Sequence, residues 1–433
     1  MAKLLSQGAY GCVYYPGFTC KGNIDNKKKF VTKLEIYDKT SKNEINISNK
    51  IKKIKNYSKF FSPVVNHCIT RFNQINKNKQ NLNDCEAVNV SEHIYNDFLL
   101  IYIKYINSKE IDKYLLEIDV PSIYVSKILK YFNYNIHAVK KLQENNLIHY
   151  DLHTGNILYD KDNQIPLIID FGLSIDREIF IDKNNNIDYL QIKKSTMHYS
   201  PKHYTYPPEL HFITYVLSNI DEKQIDNRLD NRLDNKLNKK LNESDIITFV
   251  NDLFEANKVQ KRYIYYKELV DKNNNIDTYS YKKELFEYYK KYINKSIKDA
   301  IDSLIDSIKY LDNYTVTIDY SIILIKKLDK IIIEEKKKNN TVTKILFFLI
   351  ELLSINLTVD IQKRFTIEEI NNIYKIIFNR DNNSSKKILA DINKDKELRY
   401  KFAENKKHFI SVDFKIFDDV KVRDFFKIIS NSL

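Results

Sequence analysis

Apolar and polar positions along this 433-residue chain change period several times, and each change predicts a different element. Leu4 to Tyr15 reads as strand, turn, strand, and Phe30 to Leu34 as a third strand returning beside that hairpin. Ser41-Lys42-Asn43-Glu44 has the form of a capping box and opens a helix with Ile47, Ile51 and Ile54 on one face. Phe98 to Ile106 is a strong strand. Ser126 to Glu144 is helical, with Ile128, Leu129, Phe132, Ile136, Val139 and Leu142 as its apolar stripe. Ile345 to Leu353 is the most apolar run, but it is far below spanning length and contains Glu351, so it predicts a buried helix.

The stretch from Leu147 to Gly172 carries the densest chemistry. Two short β-type segments, Ile157 to Tyr159 and Leu167 to Ile169, are joined by a polar turn, Asp160 to Gln164. Asp151 precedes this hairpin, Asn156 stands at its entry and Asp170 at its exit. Two carboxylates and an amide oxygen grouped in this way suit a hard divalent cation and a hydroxyl awaiting deprotonation. A lone Asp151 would be a turn carboxylate; the three together point to phosphotransfer.

The N-terminal hairpin supplies a matching cradle. In Leu5-Ser6-Gln7-Gly8-Ala9-Tyr10-Gly11-Cys12-Val13 the glycines let backbone N–H groups approach a phosphate, and Val13 would cover one face of a purine. Ser6 stands where the first glycine of G-x-G-x-x-G would be, and such a turn alone is more often only a hairpin. Lys33 closes its strand within reach of phosphate oxygens. Glu44 shares a helical stripe with Ile47, Ile51 and Ile54, so it faces the packed side, towards Lys33, rather than only capping its own helix. Ile103 would border the purine, and backbone groups from Lys104 to Ile106 would bond its edge.

Composition changes this picture little. Hydrophobic residues at 43% and aromatics at 13% predict a folded protein of two or three globular units. The net charge of +13 would suggest nucleic acid as a partner, but the lysines are spread along the whole chain, so none is expected. Cys12, Cys20, Cys68 and Cys85 form no C-x-x-C pair; four thiols in a chain this long predict a reducing, cytoplasmic location, with a zinc site as the minor reading. The start has too few apolar residues for a signal peptide, and no membrane span is expected.

Taken in order, these fragments resemble the eukaryotic-type protein kinase superfamily. The matches are Gly8-x-x-Gly11-x-Val13, Lys33, Glu44, His149-x-Asp151-x-x-x-x-Asn156, Asp170-Phe171-Gly172 and Pro207-Pro208-Glu209. Gln-Gly-Ala-Tyr-Gly-Cys-Val-Tyr and Tyr-Pro-Pro-Glu-Leu resemble the serine/threonine kinases of large DNA viruses, which would place the protein in host cytoplasm or virion. The resemblance implies a two-lobed α+β fold, with a small β-rich N-lobe and a larger helical C-lobe. It further implies ATP and Mg²⁺ as cofactors, protein substrates, Asp151 as base, Asn156 and Asp170 on the metal, and Lys33, held by Glu44, on the α- and β-phosphates. His153, in place of the usual lysine, would donate more weakly to the γ-phosphate. Tyr150 replaces the arginine that binds a phosphorylated activation loop, which implies activity without that phosphorylation. Asp-Leu-His-Thr-Gly-Asn also resembles small-molecule kinases of the aminoglycoside or choline type, and a pseudokinase scaffold is a third reading.

The resemblance divides the chain into an N-lobe at 1–106, a C-lobe at 107–376 and an extension of unknown role at 377–433. Within the C-lobe, 221–243 holds the repeat Asp226-Asn-Arg-Leu-Asp-Asn-Arg-Leu-Asp-Asn-Lys-Leu, whose leucines recur every four residues and drift round a helix, predicting a mobile or partly helical insertion. Residues 246–311 predict a helical insertion. Asp312, with Asp319 as rival, would open the long central helix. Thr366 and Glu369 form a capping box, and Arg364 would pair with Glu209. Oligomeric state is not legible.

Overall fold

The computed structural model describes residues 2–8, 11–25, 27–71, 74–75, 85–86, 97–196, 198–218, 220, 231–256, 278–336, 340–378, 384–404 and 418. Ala9 and Tyr10, most of residues 71–92, repeat residues 221–230, insertion residues 257–277 and almost all of residues 409–429 lie outside them. The chain divides into two compact units, residues 1–111 with 147–176, and residues 112–146 with 177–433.

The first unit is built on a five-stranded antiparallel sheet in the order β1-β2-β3-β5-β4, from β1 (Lys3–Gln7), β2 (Gly11–Tyr15), β3 (Phe30–Ile36), β4 (Asn66–Arg71) and β5 (Asp97–Lys104). Alternation sorts its side chains between two faces. Cys12, Tyr14, Leu34, Phe98 and Leu100 join Phe18 in a buried cluster on one face. The register Gly11–Glu35–Leu99, Val13–Lys33–Ile101 and Val31–Ile103 defines the other. Helix α1 (Lys39–Ile51) packs on this second face, where Ile45 meets Val64, Leu99 and Ile101.

The cap of α1 differs from the sequence reading. Asp38, not Ser41, is the N-cap: its carboxylate accepts from Ser41 N at 2.9 Å, and Ser41 Oγ accepts from Asp38 N at 3.0 Å. Either residue has an acceptor suited to a cap, and the choice of Asp38 starts the helix a turn early and leaves Glu44 uncommitted to the helix end.

The cysteines also differ. Cys12 is bonded to Cys85 and Cys20 to Cys68, with Cα atoms 5.8 and 6.3 Å apart, so the expectation of four free thiols is overturned. The partners are 73 and 48 residues apart in sequence, and in each pair one cysteine lies on a strand and the other outside the sheet.

Residues 147–176 complete the first unit. β8 (Ile157–Asp160) and β9 (Ile165–Ile168) form the expected hairpin, extended by β6 (Ser108–Glu110), and β7 (Leu147–Ile148) pairs with β10 (Ile175–Asp176).

The described part of the second unit is helical. Its helix Pro121–Gln143 starts earlier than predicted, with proline in the first turn. The long helix Leu311–Lys336 carries both Asp312 and Asp319 buried, and Asn340–Asn356 contains the apolar run with Glu351 also buried. The expected insertion is helical where described, at Glu243–Ala256, Thr278–Tyr289 and Ile297–Leu304. The end of the repeat forms a short helix, Asn231–Leu237, and Leu237 and Leu241 are buried. No helix among the described residues is long and apolar enough to cross a membrane.

Candidate active site

Lys33 is the hub. Strand alternation points it to the α1 face, where its Nζ lies 2.9 Å from Glu44 Oε2, 3.0 Å from Asp170 Oδ1 and 2.7 Å from Glu35 Oε1. Lys33, Glu35 and Glu44 are all buried, whereas the Asp170 side chain is 42% exposed. Burial alone would depress the lysine; the charges of Glu44, Asp170 and Glu35 outweigh it and hold its pKa well above the usual value. Burial pushes Glu44 up to about 8 against the pull of Lys33. For Asp170 burial is overcome by Lys33, which keeps the carboxyl below its ordinary range.

The backbone places Asp170 deliberately. It has φ 60°, in the left-handed region, and Tyr150, beside Asp151, has φ 71°. Such values are costly for a bulky residue such as tyrosine, so the surrounding contacts must impose them. His149 is fully buried, its Nε2 donates to Ile169 O at 2.8 Å, and its ring lies 5.1 Å from that of Phe171. Phe171 also meets Phe61 edge-on. Asn43 of α1, which the sequence reading did not single out, donates to Gly172 O at 3.0 Å and Ser174 O at 2.8 Å. Lys50 of α1 pairs with Asp176. One helix thus fixes both the partner of Lys33 and the turn that follows Asp170.

Asn156 closes the loop from the other side, its Nδ2 donating to Asp151 O at 2.8 Å. This bond orients the amide so that its oxygen is the end left for a ligand. His153 Nδ1 accepts from Gly155 N at 3.1 Å, which puts the neutral ring's proton on Nε2, 3.9 Å from Asp151 Oδ2. That separation is too long for a hydrogen bond. A Cβ at Gly155 would stand 2.9 Å from His153 Cε1, so a side chain there would push the His153 ring aside.

Other predicted residues separate by face and position. In the hairpin, Gly8 N donates to Gly11 O at 2.9 Å. Leu5, Ser6 and Gln7 are exposed along β1, while Val13 shares the Lys33 face. Cys12 points to the opposite face and into its disulfide, so its side chain is not part of the cradle. Ile103 is half-buried opposite Val31, and Lys104 is exposed. Tyr105 N donates to Lys29 O at 2.8 Å, which commits one backbone donor expected at the purine edge; Ile106 follows it, half-buried. Glu35 was missed. It shares the sheet face of Lys33 two residues on, a signal readable in the alternation of β3.

The donor set fits a magnesium ion. Asp170 and Asn156 offer a carboxylate and an amide oxygen, and Mg²⁺ takes one or two protein oxygens and completes its shell with phosphate and water. Among the described residues no three His, Cys, Asp or Glu side chains are grouped to hold a metal ion.

Residues 1–205 match the family model described as protein tyrosine and serine/threonine kinase. This part of the chain is similar to protein kinases. The match runs through the hairpin, Lys33, Glu44, the Asp151 loop and Asp170, and the α+β fold, with a β-sheet first part and a mostly helical remainder, is that of the two-lobed kinase class. No curated protein matches the chain.

Proposed function

We propose that the chain is an ATP-dependent protein kinase that transfers the γ-phosphoryl group to serine or threonine hydroxyls. The observation that carries this reading is the convergence on Lys33 of Glu44 from α1 and Asp170 from the turn after β9. An ammonium held between these carboxylates is preset to meet phosphate oxygens, and Asp170 is the partner whose side chain is open to a ligand.

In this reading Lys33 orients the α- and β-phosphates and the Gly8–Gly11 turn covers them. Asp151 takes the proton of the attacking hydroxyl. The Asn156 bond to Asp151 O keeps base and amide in one rigid loop. His153, with its proton on Nε2, offers one weak donor to the transferring group. Asn156 and Asp170 would hold Mg²⁺, which when bound neutralises phosphate charge. The lobes are taken as 1–106 and 107–376, with 377–433 as an extension.

Similarity of residues 1–205 to a family covering both tyrosine and serine/threonine kinases supports phosphotransfer to protein. The serine/threonine preference and viral origin rest on the sequence resemblance alone. Two disulfides favour a virion over the reducing cytoplasm. A peptide panel and a metabolite panel, each with labelled ATP, test the reading: label on serine- or threonine-containing peptides supports it. Label only on small molecules would assign the chain to the small-molecule kinases, and MgATP binding without turnover to a scaffold.

A further inference from the structure

Lys33 has one carboxylate more than a single helix partner and a metal-facing aspartate would supply. Glu35 lies two residues along β3 and so shares its face. Its Oε1 makes the shortest of the three contacts to Lys33 Nζ, 2.7 Å against 2.9 Å for Glu44 and 3.0 Å for Asp170. Glu35 is 3% exposed, between Gly11 on β2 and Leu99 on β5. A Cβ at Gly11 would come within 2.7 Å of Glu35 Cγ and 2.5 Å of Leu34 O. The second glycine of the cradle therefore makes room for this glutamate as well as for a phosphate.

The three ammonium protons face three carboxylates carried by three elements: β3 itself, α1 and the turn after β9. These are not equivalent. The side chains of Glu35 and Glu44 are 5% and 2% exposed, against 42% for Asp170. Of the three, only Asp170 is open to solvent, and the other two are enclosed.

We propose that Glu35 is a second positioning residue for Lys33, holding the ammonium from its own strand while Glu44 holds it from α1. Asp170 is then the partner released when nucleotide arrives. This rests on the reading of Lys33 as the residue that orients the phosphates. Because Lys33 and Glu35 share a strand, their bond persists wherever α1 sits. The two glutamates are partly redundant, and losing either one alone leaves Lys33 held.

The test is a double-mutant cycle on the full chain, with KM for MgATP, kcat and thermal stability measured for Glu35→Gln, Glu44→Gln, the double variant and Glu35→Asp. Each single glutamine variant is expected to raise KM less than about tenfold and the double variant to raise it about a hundredfold, beyond the product of the singles. Glu35→Asp should return KM to near the wild-type value. The melting temperature of Glu35→Gln should not fall, since one of three carboxylates around one ammonium has been neutralised.

Unchanged KM on adding Glu35→Gln in both backgrounds overturns the proposal. So does a lower KM, which would make Glu35 a competitor of the phosphates, or a higher KM seen only with a lower melting temperature. If the double variant does not fold, Glu35→Gln against Glu35→Asp decides: a KM raised in the first and restored in the second supports the proposal, and equal values overturn it. A wild-type protein that binds no MgATP removes the kinase reading and this inference together; turnover with Glu35→Gln silent removes only the latter.

Discussion

Arg364 grips Glu209 across 155 residues of chain, with Nη1 2.7 Å from Oε1 and Nη2 3.1 Å from Oε2. Both side chains are buried; Arg364 Nε also donates to Thr358 O at 2.7 Å, and the guanidinium lies 4.8 Å from the centre of the Tyr314 ring. A fork-to-fork pair satisfies two charges that burial would otherwise make expensive. Arg364→Ala leaves Glu209 charged and alone, and should cost about 3–5 kcal/mol in a denaturant titration. Arg364→Lys, which makes one contact at best, should recover only part of it. A loss under 1 kcal/mol for Arg364→Ala would mean that the pair does not tie this unit together.

His211 gives the second unit an acid limit. It is buried, its Nε2 donates to His203 O at 3.1 Å, and burial lowers its pKa to about 4. The unfolded chain binds the proton more tightly, from its ordinary value of 6.5. Stability from the neutral ring is therefore present above pH 6.5 and lost as pH falls to 4, about 3 kcal/mol in all. Melting temperatures recorded over that window should fall for the wild type and change less for His211→Gln. Parallel curves would assign the acid loss to other groups.

If the chain is a kinase, Ser195 and Thr196 are expected not to serve as phosphorylation switches. Thr196 is buried and its hydroxyl donates to Ile192 O at 2.9 Å, while Ser195 Oγ accepts from Gln191 Nε2 at 3.1 Å. Tyr150, standing where the resemblance would place a phosphate-binding arginine, is buried. Phosphatase-treated enzyme and the Ser195→Ala/Thr196→Ala variant should keep their rate within about twofold, because no guanidinium there is waiting to be neutralised. A large gain in rate on phosphorylating either residue would contradict this.

What the sequence disclosed divides along physical lines. The pairing of Arg364 with Glu209, 155 residues apart, came only from the family resemblance, whereas the Asp151–Asn156–Asp170 hairpin and the meeting of Lys33 with Glu44 were legible because local periodicity and fixed spacing carry them. The Thr366–Glu369 capping box was legible for the same reason, and both its bonds are formed. The cap of α1 was misplaced because Asp38 and Ser41 both suit a helix start, and only the incoming chain decides between them. Glu35 was overlooked although its register with Lys33 was readable. The cysteine pairs were illegible: 73 and 48 residues separate the partners, and one member of each pair lies in a connection outside the sheet, whose path sequence spacing does not encode. Cys12 shows the same limit, since its place beside Gly11 said nothing of which face its side chain would take.

The most direct test is Asp151→Asn, measured for phosphoryl transfer to protein and for MgATP affinity on the same preparation. The amide keeps the shape of the loop but removes the proton acceptor. Transfer should fall by about a thousandfold or more while MgATP affinity stays within about threefold of the wild type. Transfer by Asp151→Asn at more than a tenth of the wild-type rate would contradict Asp151 as the base, and with it the account of this site.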